Sequence, residues 1–350
     1  MVRLGPVSAK HRKTSPAWAR LPDEELLDLR LCDLDVAIEG SWLEGLVETL
    51  YRELEHKNLR VRPHVWLSSE WFCPDGVPGI AIPFYLAHPR LKRLERKQML
   101  DVEGGSRSEC LRLLRHEAGH AVEHAFNLHR RRKWQRVFGR PGLPYPDVYR
   151  PNPASRRYVI NLDAWYAQSH PYEDFAETFA VWLAPRSAWR RRYHGWPALK
   201  KLEYLDELMG ELAGKPPKVR ARRRVDPLRS LRQTLREYYE EKRARYAPAY
   251  SKQYDRDLRR LFADGRRTRR GRPAAAFLRA NRRELRRLVL RWAGEWEATF
   301  DLVFQEMVGR CGELRLRAVG PSSALVTNAA VLLTARTMQY LYRNREWHAL

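Results

Sequence analysis

Paired cysteines, long apolar runs and acidic side chains are what this chain lacks or has few of. Its 350 residues include four cysteines, Cys32, Cys73, Cys110 and Cys311. They are widely separated and form no C-x-x-C pair, which argues against a zinc knuckle or a disulfide scaffold and for a reducing compartment. The first ten residues hold no apolar stretch of signal-peptide length. The longest uncharged run, residues 318–335, contains Gly, Pro, Ser, Thr and Asn and is too short to span a bilayer. The expected setting is therefore soluble and cytoplasmic, without a transmembrane segment. Neither an internal repeat nor a G-x-x-x-x-G-K-[ST] phosphate loop occurs in the chain.

Acids number 42 against 66 Lys and Arg, giving a formal net charge of +24. The excess is uneven: +17 falls within residues 216–290, +1 within 291–350 and +6 within 1–215. Arginine runs at 222–224, 266–270 and 282–287 carry most of it. Clustered arginine suits a polyanion, so residues 216–290 are read as a surface for nucleic acid or another anionic partner. No recognised nucleic-acid motif accompanies it. The rest of the composition is that of a folded protein, with 12 Trp, 16 Tyr and 10 Phe.

Periodicity divides the chain. Residues 1–20 form a basic tail. Apolar residues at helical spacing from Pro22 to Leu54 predict one or two amphipathic helices. The aromatic runs 61–69 and 79–87 predict strands, joined by the turn-rich Cys73–Gly79. Ser106-Arg-Ser-Glu109 has capping-box form and predicts a helix over 107–127. Residues 139–157 predict a long loop, 157–162 a strand or turn, and 171–183 a second helix. Ala213-Gly-Lys-Pro-Pro-Lys218 marks the expected domain boundary, with a 21–215 domain before it and a helical, Arg-rich 216–350 region after it.

The chemistry sits in the 107–127 helix, which carries His116-Glu117-Ala118-Gly119-His120. Histidines at i and i+4 share one helical face, so both imidazoles can reach one cation. Zinc accepts neutral imidazole and in catalytic sites takes three protein ligands, leaving a position open. Glu117 is placed beside that position as general base. His124 extends the same face by a turn but lies too far along to join the same metal.

The third ligand must lie elsewhere. A metzincin needs glycine and histidine where Glu123 and Phe126 stand, which excludes that class. Downstream, His170-Pro-Tyr-Glu173-Asp174-Phe-Ala-Glu177-Thr-Phe-Ala sets two carboxylates one turn apart. This pair resembles the second helix of the gluzincin peptidases. The resemblance implies that Glu173 is the metal ligand and that Glu177 orients a ligand histidine. The segment also looks like that of the anthrax lethal factor group, in which a tyrosine seven residues before the ligand glutamate steadies the oxyanion. Here that residue is Tyr166. The combination of HEAGHA with HPYEDFAETFA resembles a set of bacterial zinc-binding metallopeptidases, over about residues 60–205. The AAA proteases share HEAGHAV but need a phosphate loop and membrane helices.

Together these readings predict an α+β, zincin-like core followed by a mostly helical basic region. The expected function is hydrolysis of peptide or protein substrates with one Zn2+ held by His116, His120 and Glu173, and with Glu117 and Tyr166 as catalytic groups. The alternative is a nucleic-acid- or anionic-surface-binding protein with a structural or vestigial zinc site.

Overall fold

Helices form where the apolar stripe and the caps ask for them. A computed structural model describes residues 16–99, 102–146, 149, 151–152, 154–246, 255–265, 268, 270–293 and 297–343. Most of the expected basic tail, and Arg266, Arg267 and Arg269 of the second arginine run, lie outside those residues. Helix α1 spans Asp23–Leu27 and α2 spans Trp42–His56. Ser41 caps α2, accepting from the Leu43 N–H, and Leu43, Leu46, Val47, Leu50 and Leu54 form its buried stripe.

The two aromatic runs do form strands, β1 (His64–Ser68) and β2 (Gly79–Pro83), paired in parallel with Val65 opposite Ile80 and Leu67 opposite Ile82. Strand β2 ends at Pro83, which has no N–H to donate to a ladder, and 84–87 wind into a buried 3-10 turn instead of continuing the strand. Phe72 bridges Ala81 in antiparallel sense, so this small sheet is mixed. No strand forms over 157–162.

Next come α3 (Pro89–Met99), α4 (Arg107–Phe126) and α5 (Arg132–Phe138). The capping box at the start of α4 is complete, with Ser106 and Glu109 each satisfying the other's backbone N–H. Asn127 closes the helix in the left-handed conformation, φ 52°. Helix α6 (Pro171–Leu183) starts with proline at its first position, where the missing N–H costs nothing. Helices α7 (Trp189–Arg192) and α8 (Leu199–Leu212) follow.

Residues 216–234 depart from the helical expectation. They run as an irregular strap over the first core, broken only by a 3-10 turn at Leu228–Ser230. Pro216, Pro217 and Pro227 exclude a continuous helix, and neighbouring arginines repel one another. Lys218 and Val219 N–H donate to the Ala125 carbonyl at the end of α4. Helix α9 (Leu235–Tyr246) then packs Leu235, Tyr238 and Tyr239 into the same core that holds α2, α4 and α6. The segment 216–246 is therefore part of the first packed unit.

A separate hydrophobic cluster is built by α10 (Asp255–Leu261), α11 (Ala274–Ala280), α12 (Arg282–Ala293), α13 (Glu297–Glu313) and α14 (Ser322–Arg343). A short antiparallel sheet, β3 (Ala263–Asp264), β4 (Arg272–Pro273) and β5 (Leu316–Ala318), has β5 in the centre. The molecule is thus mixed and mostly helical, with small sheets. Among the described residues no helix is long and apolar enough to cross a membrane.

Candidate metal centre

The site exists because α4 and α6 approach unusually closely. Gly119 is the contact: a Cβ there would lie 2.8 Å from Ala176 Cα and 3.1 Å from both the Ala176 carbonyl and Phe179 Cβ. Glycine's missing side chain lets the two backbones meet. That approach sets Glu173 and Glu177, one turn apart on α6, against His116 and His120 on α4. Arg115 secures α4 from behind, with Nε and Nη2 donating to both oxygens of Glu53 on α2 at 2.8 and 2.6 Å.

Three donor atoms converge. His116 Nε2 lies 3.0 Å from Glu173 Oε2, His120 Nε2 lies 3.2 Å from the same oxygen, and the two imidazole nitrogens are 3.1 Å apart. Tetrahedral zinc with ~2.05 Å bonds holds its ligand atoms about 3.3 Å apart, so this triangle fits a cation with little adjustment. His116, His120 and Glu173 form the cluster of metal-ligating atoms found among the described residues. Two imidazoles and one carboxylate are a donor set that zinc accepts.

Glu177 is fully buried and holds His116 in place. Its Oε1 is 2.9 Å from His116 Nδ1 and accepts from Asn161 Nδ2 at 2.8 Å, while Oε2 accepts from the Leu162 N–H at 2.8 Å. With a metal bound, a proton kept on Nδ1 by Glu177 would leave Nε2 as the ligating nitrogen. Burial would raise the Glu173 carboxyl, but the charge on His120 and hydrogen bonds from His116 and His120 hold it well below the ordinary carboxylate value.

The donors open onto a cleft of about 360 Å3 lined by Glu117, Tyr145, Tyr166, Tyr172 and the Glu70–Cys73 segment among others. Glu117 is buried, and among the described residues its Oε2 has no hydrogen-bond partner. Burial pushes its carboxyl above the ordinary value, against the pull of His116 and His120. A raised carboxyl in a cleft is suited to taking and returning a proton. Tyr166 lies with its ring 5.6 Å from that of His116. Burial and the Glu173 charge raise its phenol well above normal, so it stays protonated.

Tyr145, which sequence reasoning missed, donates its hydroxyl to Glu173 Oε1 at 3.0 Å. It stacks on His170, 3.9 Å between ring centres. His170 is no ligand: its Nδ1 caps α6 by accepting from the Tyr172 N–H, and its Nε2 donates to the Leu143 carbonyl. His124 also lines the cleft, with Nδ1 3.0 Å from Glu123 Oε2 and Nε2 3.8 Å from Asp75 Oδ1. The cleft rim is braced from α9. Lys242 Nζ on α9 lies 3.1 Å from Glu95 and 3.3 Å from Glu70, and the Tyr238 hydroxyl donates to the Ser69 carbonyl at 3.1 Å.

Residues 92–191 match the protein family described as "putative zinc-binding metallo-peptidase". The matched stretch is less than a third of the 350 residues, yet it holds both ligand-bearing helices and every donor atom of the cluster. No curated protein and no solved structure matches the chain. Within the matched stretch, the cluster of His116, His120 and Glu173 is the feature able to hold a metal ion.

Proposed function

We propose that the protein is a zinc-dependent peptidase of gluzincin type, built on a zincin-like core within residues 21–215 and buttressed by the strap and α9. The observation that supports it most is Glu117: a buried carboxylate, one oxygen unpartnered, lining the cleft into which His116, His120 and Glu173 present their donor atoms. A structural metal site would have no use for that carboxylate.

His116, His120 and Glu173 would hold one zinc ion, and Glu177 sets the tautomer of His116. A zinc ion there supplies a Lewis acid that makes water nucleophilic near neutral pH and polarises a carbonyl. Glu117 accepts the proton of the attacking water and delivers it to the leaving amine, a role matched to its raised carboxyl. Tyr166 donates its phenolic proton to the carbonyl oxygen as negative charge develops there. Trp71, Phe72 and Tyr172 supply apolar walls for an extended peptide in the cleft.

Glu117→Gln tests the reading. The variant should retain zinc by elemental analysis, since Glu117 is not a ligand, and lose peptide hydrolysis by about 10²–10⁴-fold. A variant that keeps zinc and cleaves as fast as the wild type refutes the peptidase assignment.

A further inference from the structure

Between Lys215 and Arg232 stand eight basic residues and a single acid, Asp226. In most basic stretches such charges sit on helix faces and are partly compensated. On α12, for instance, Arg282 pairs with Asp301 at 3.0 Å. The strap differs. Lys215, Lys218, Arg220, Arg222, Arg223 and Arg224 are all exposed. Among the described residues no carboxylate forms an ion pair with Arg222, Arg223 or Arg224, and the Arg220 Nε reaches only the Pro217 carbonyl at 3.4 Å.

The backbone beneath these side chains is fixed. Side chains from one face of β1 bind its carbonyls in order: His64 Nε2 lies 3.1 Å from the Arg223 oxygen, Trp66 Nε1 donates to Val225 at 2.9 Å and the Ser68 hydroxyl donates to Asp226 at 2.7 Å. These contacts hold the backbone at residues 223–226, and the Ala125 carbonyl holds it at Lys218 and Val219. Arg220, Arg222, Arg223 and Arg224 therefore lie between or on anchored points of the backbone. Their order is imposed by the fold and costs little entropy on binding.

We propose that the strap at 215–224 is a docking surface for the phosphodiester backbone of nucleic acid, read without regard to base sequence. Guanidinium forks suit phosphate oxygens, and a line of them suits a regular polyanion. An anionic bilayer is disfavoured because Lys215–Arg224 carries no large apolar side chain to insert between lipids. The inference is independent of the peptidase reading. It would place a cleft for peptides and a surface for nucleic acid in one packed unit.

The test is fluorescence anisotropy of a labelled 20-base-pair DNA duplex against the full chain over a salt series. Because the contact is to backbone phosphates, one arbitrary sequence suffices. Wild type should bind more weakly as salt rises, in the micromolar range near physiological salt. The triple variant Arg222→Ala/Arg223→Ala/Arg224→Ala should bind at least about 10-fold more weakly, with the slope of log K against log salt reduced by about 2–3. Its thermal melt and its zinc content should match wild type, because the three side chains are exposed and form no ion pair among the described residues. No duplex binding at low salt overturns the proposal, and so does a triple variant with unchanged affinity and slope. Tighter binding of poly-glutamate or phosphatidylserine vesicles than of the duplex overturns it as well, by assigning the strap to a protein or a membrane.

Discussion

Replacing Gly119 by alanine probes the contact on which the metal centre depends. Helix propensity alone favours the substitution by about 1 kcal/mol, because glycine in a helix interior is costly. Packing opposes it. The new methyl would meet Ala176 Cα at 2.8 Å, and the Ala176 carbonyl and Phe179 Cβ at 3.1 Å. The nearest of these atoms is backbone at the centre of a buried helix, so it cannot swing away as a flexible side-chain end could. Overpacking of this kind costs about 1–3 kcal/mol. The net expectation is a loss of up to about 2 kcal/mol, or a few degrees in melting temperature for a unit of this size. Relief requires α6 to move off α4, and Glu173 moves with it while His116 and His120 stay on α4. Zinc affinity should therefore fall together with stability. The assay pairs thermal melting of the metal-free chain with zinc titration by a competing chelator. A Gly119→Ala variant that melts above wild type and binds zinc equally well would show that the helix approach does not set the site.

Two further perturbations follow from buried carboxylates. Glu177→Gln leaves the three donor atoms in place but weakens the acceptor for His116 Nδ1, so zinc affinity should fall about 10–100-fold; unchanged affinity in a folded variant would remove Glu177 from the site. Glu123 offers a pH test. Burial raises its carboxyl, but hydrogen bonds from His124 and His129 bring it below the ordinary value. A depressed carboxyl stabilises the fold at pH values above its unfolded pKa, and that contribution is lost as pH falls through the folded one. Metal-free wild type should then lose melting temperature between about pH 5 and 3 more steeply than Glu123→Gln. Parallel curves would exclude the contribution.

The parts of the site that could be read from the sequence are those encoded within one helix. Ser106 and Glu109 announce the start of α4, and the i, i+4 spacing of His116 and His120 fixes a shared face whatever surrounds it. Glu173 and Glu177 carry the same kind of information, one turn apart behind a proline. Gly119 could be seen but not interpreted, since its meaning lies in Ala176 on another helix. Tyr145 was out of reach for a different reason: it hangs from a Pro- and Gly-rich loop, and nothing local says that 28 residues later Glu173 will meet its hydroxyl. His124 can be placed on the metal-facing side of α4 from its spacing, but not against Asp75, 3.8 Å from its Nε2, which comes from a turn far back in the chain.

The strap was misread for a physical reason that its own residues state. Counting arginines favours helix, since arginine is a good helix former. Pro216, Pro217 and Pro227 oppose it, and once helix is denied the backbone amides and carbonyls need other partners. Ala125 supplies an acceptor at the end of α4, and His64, Trp66 and Ser68 supply partners along β1. The chain after residue 215 is thereby tied to the end of the HEAGH helix, and α9 goes on to brace the cleft rim through Lys242 and Tyr238. Truncation at residue 215 would therefore expose the end of α4 and release the Glu70 wall of the cleft, although every metal-donor atom would remain. The metallopeptidase match ends at residue 191, but the structure that holds its cleft in shape extends to residue 246.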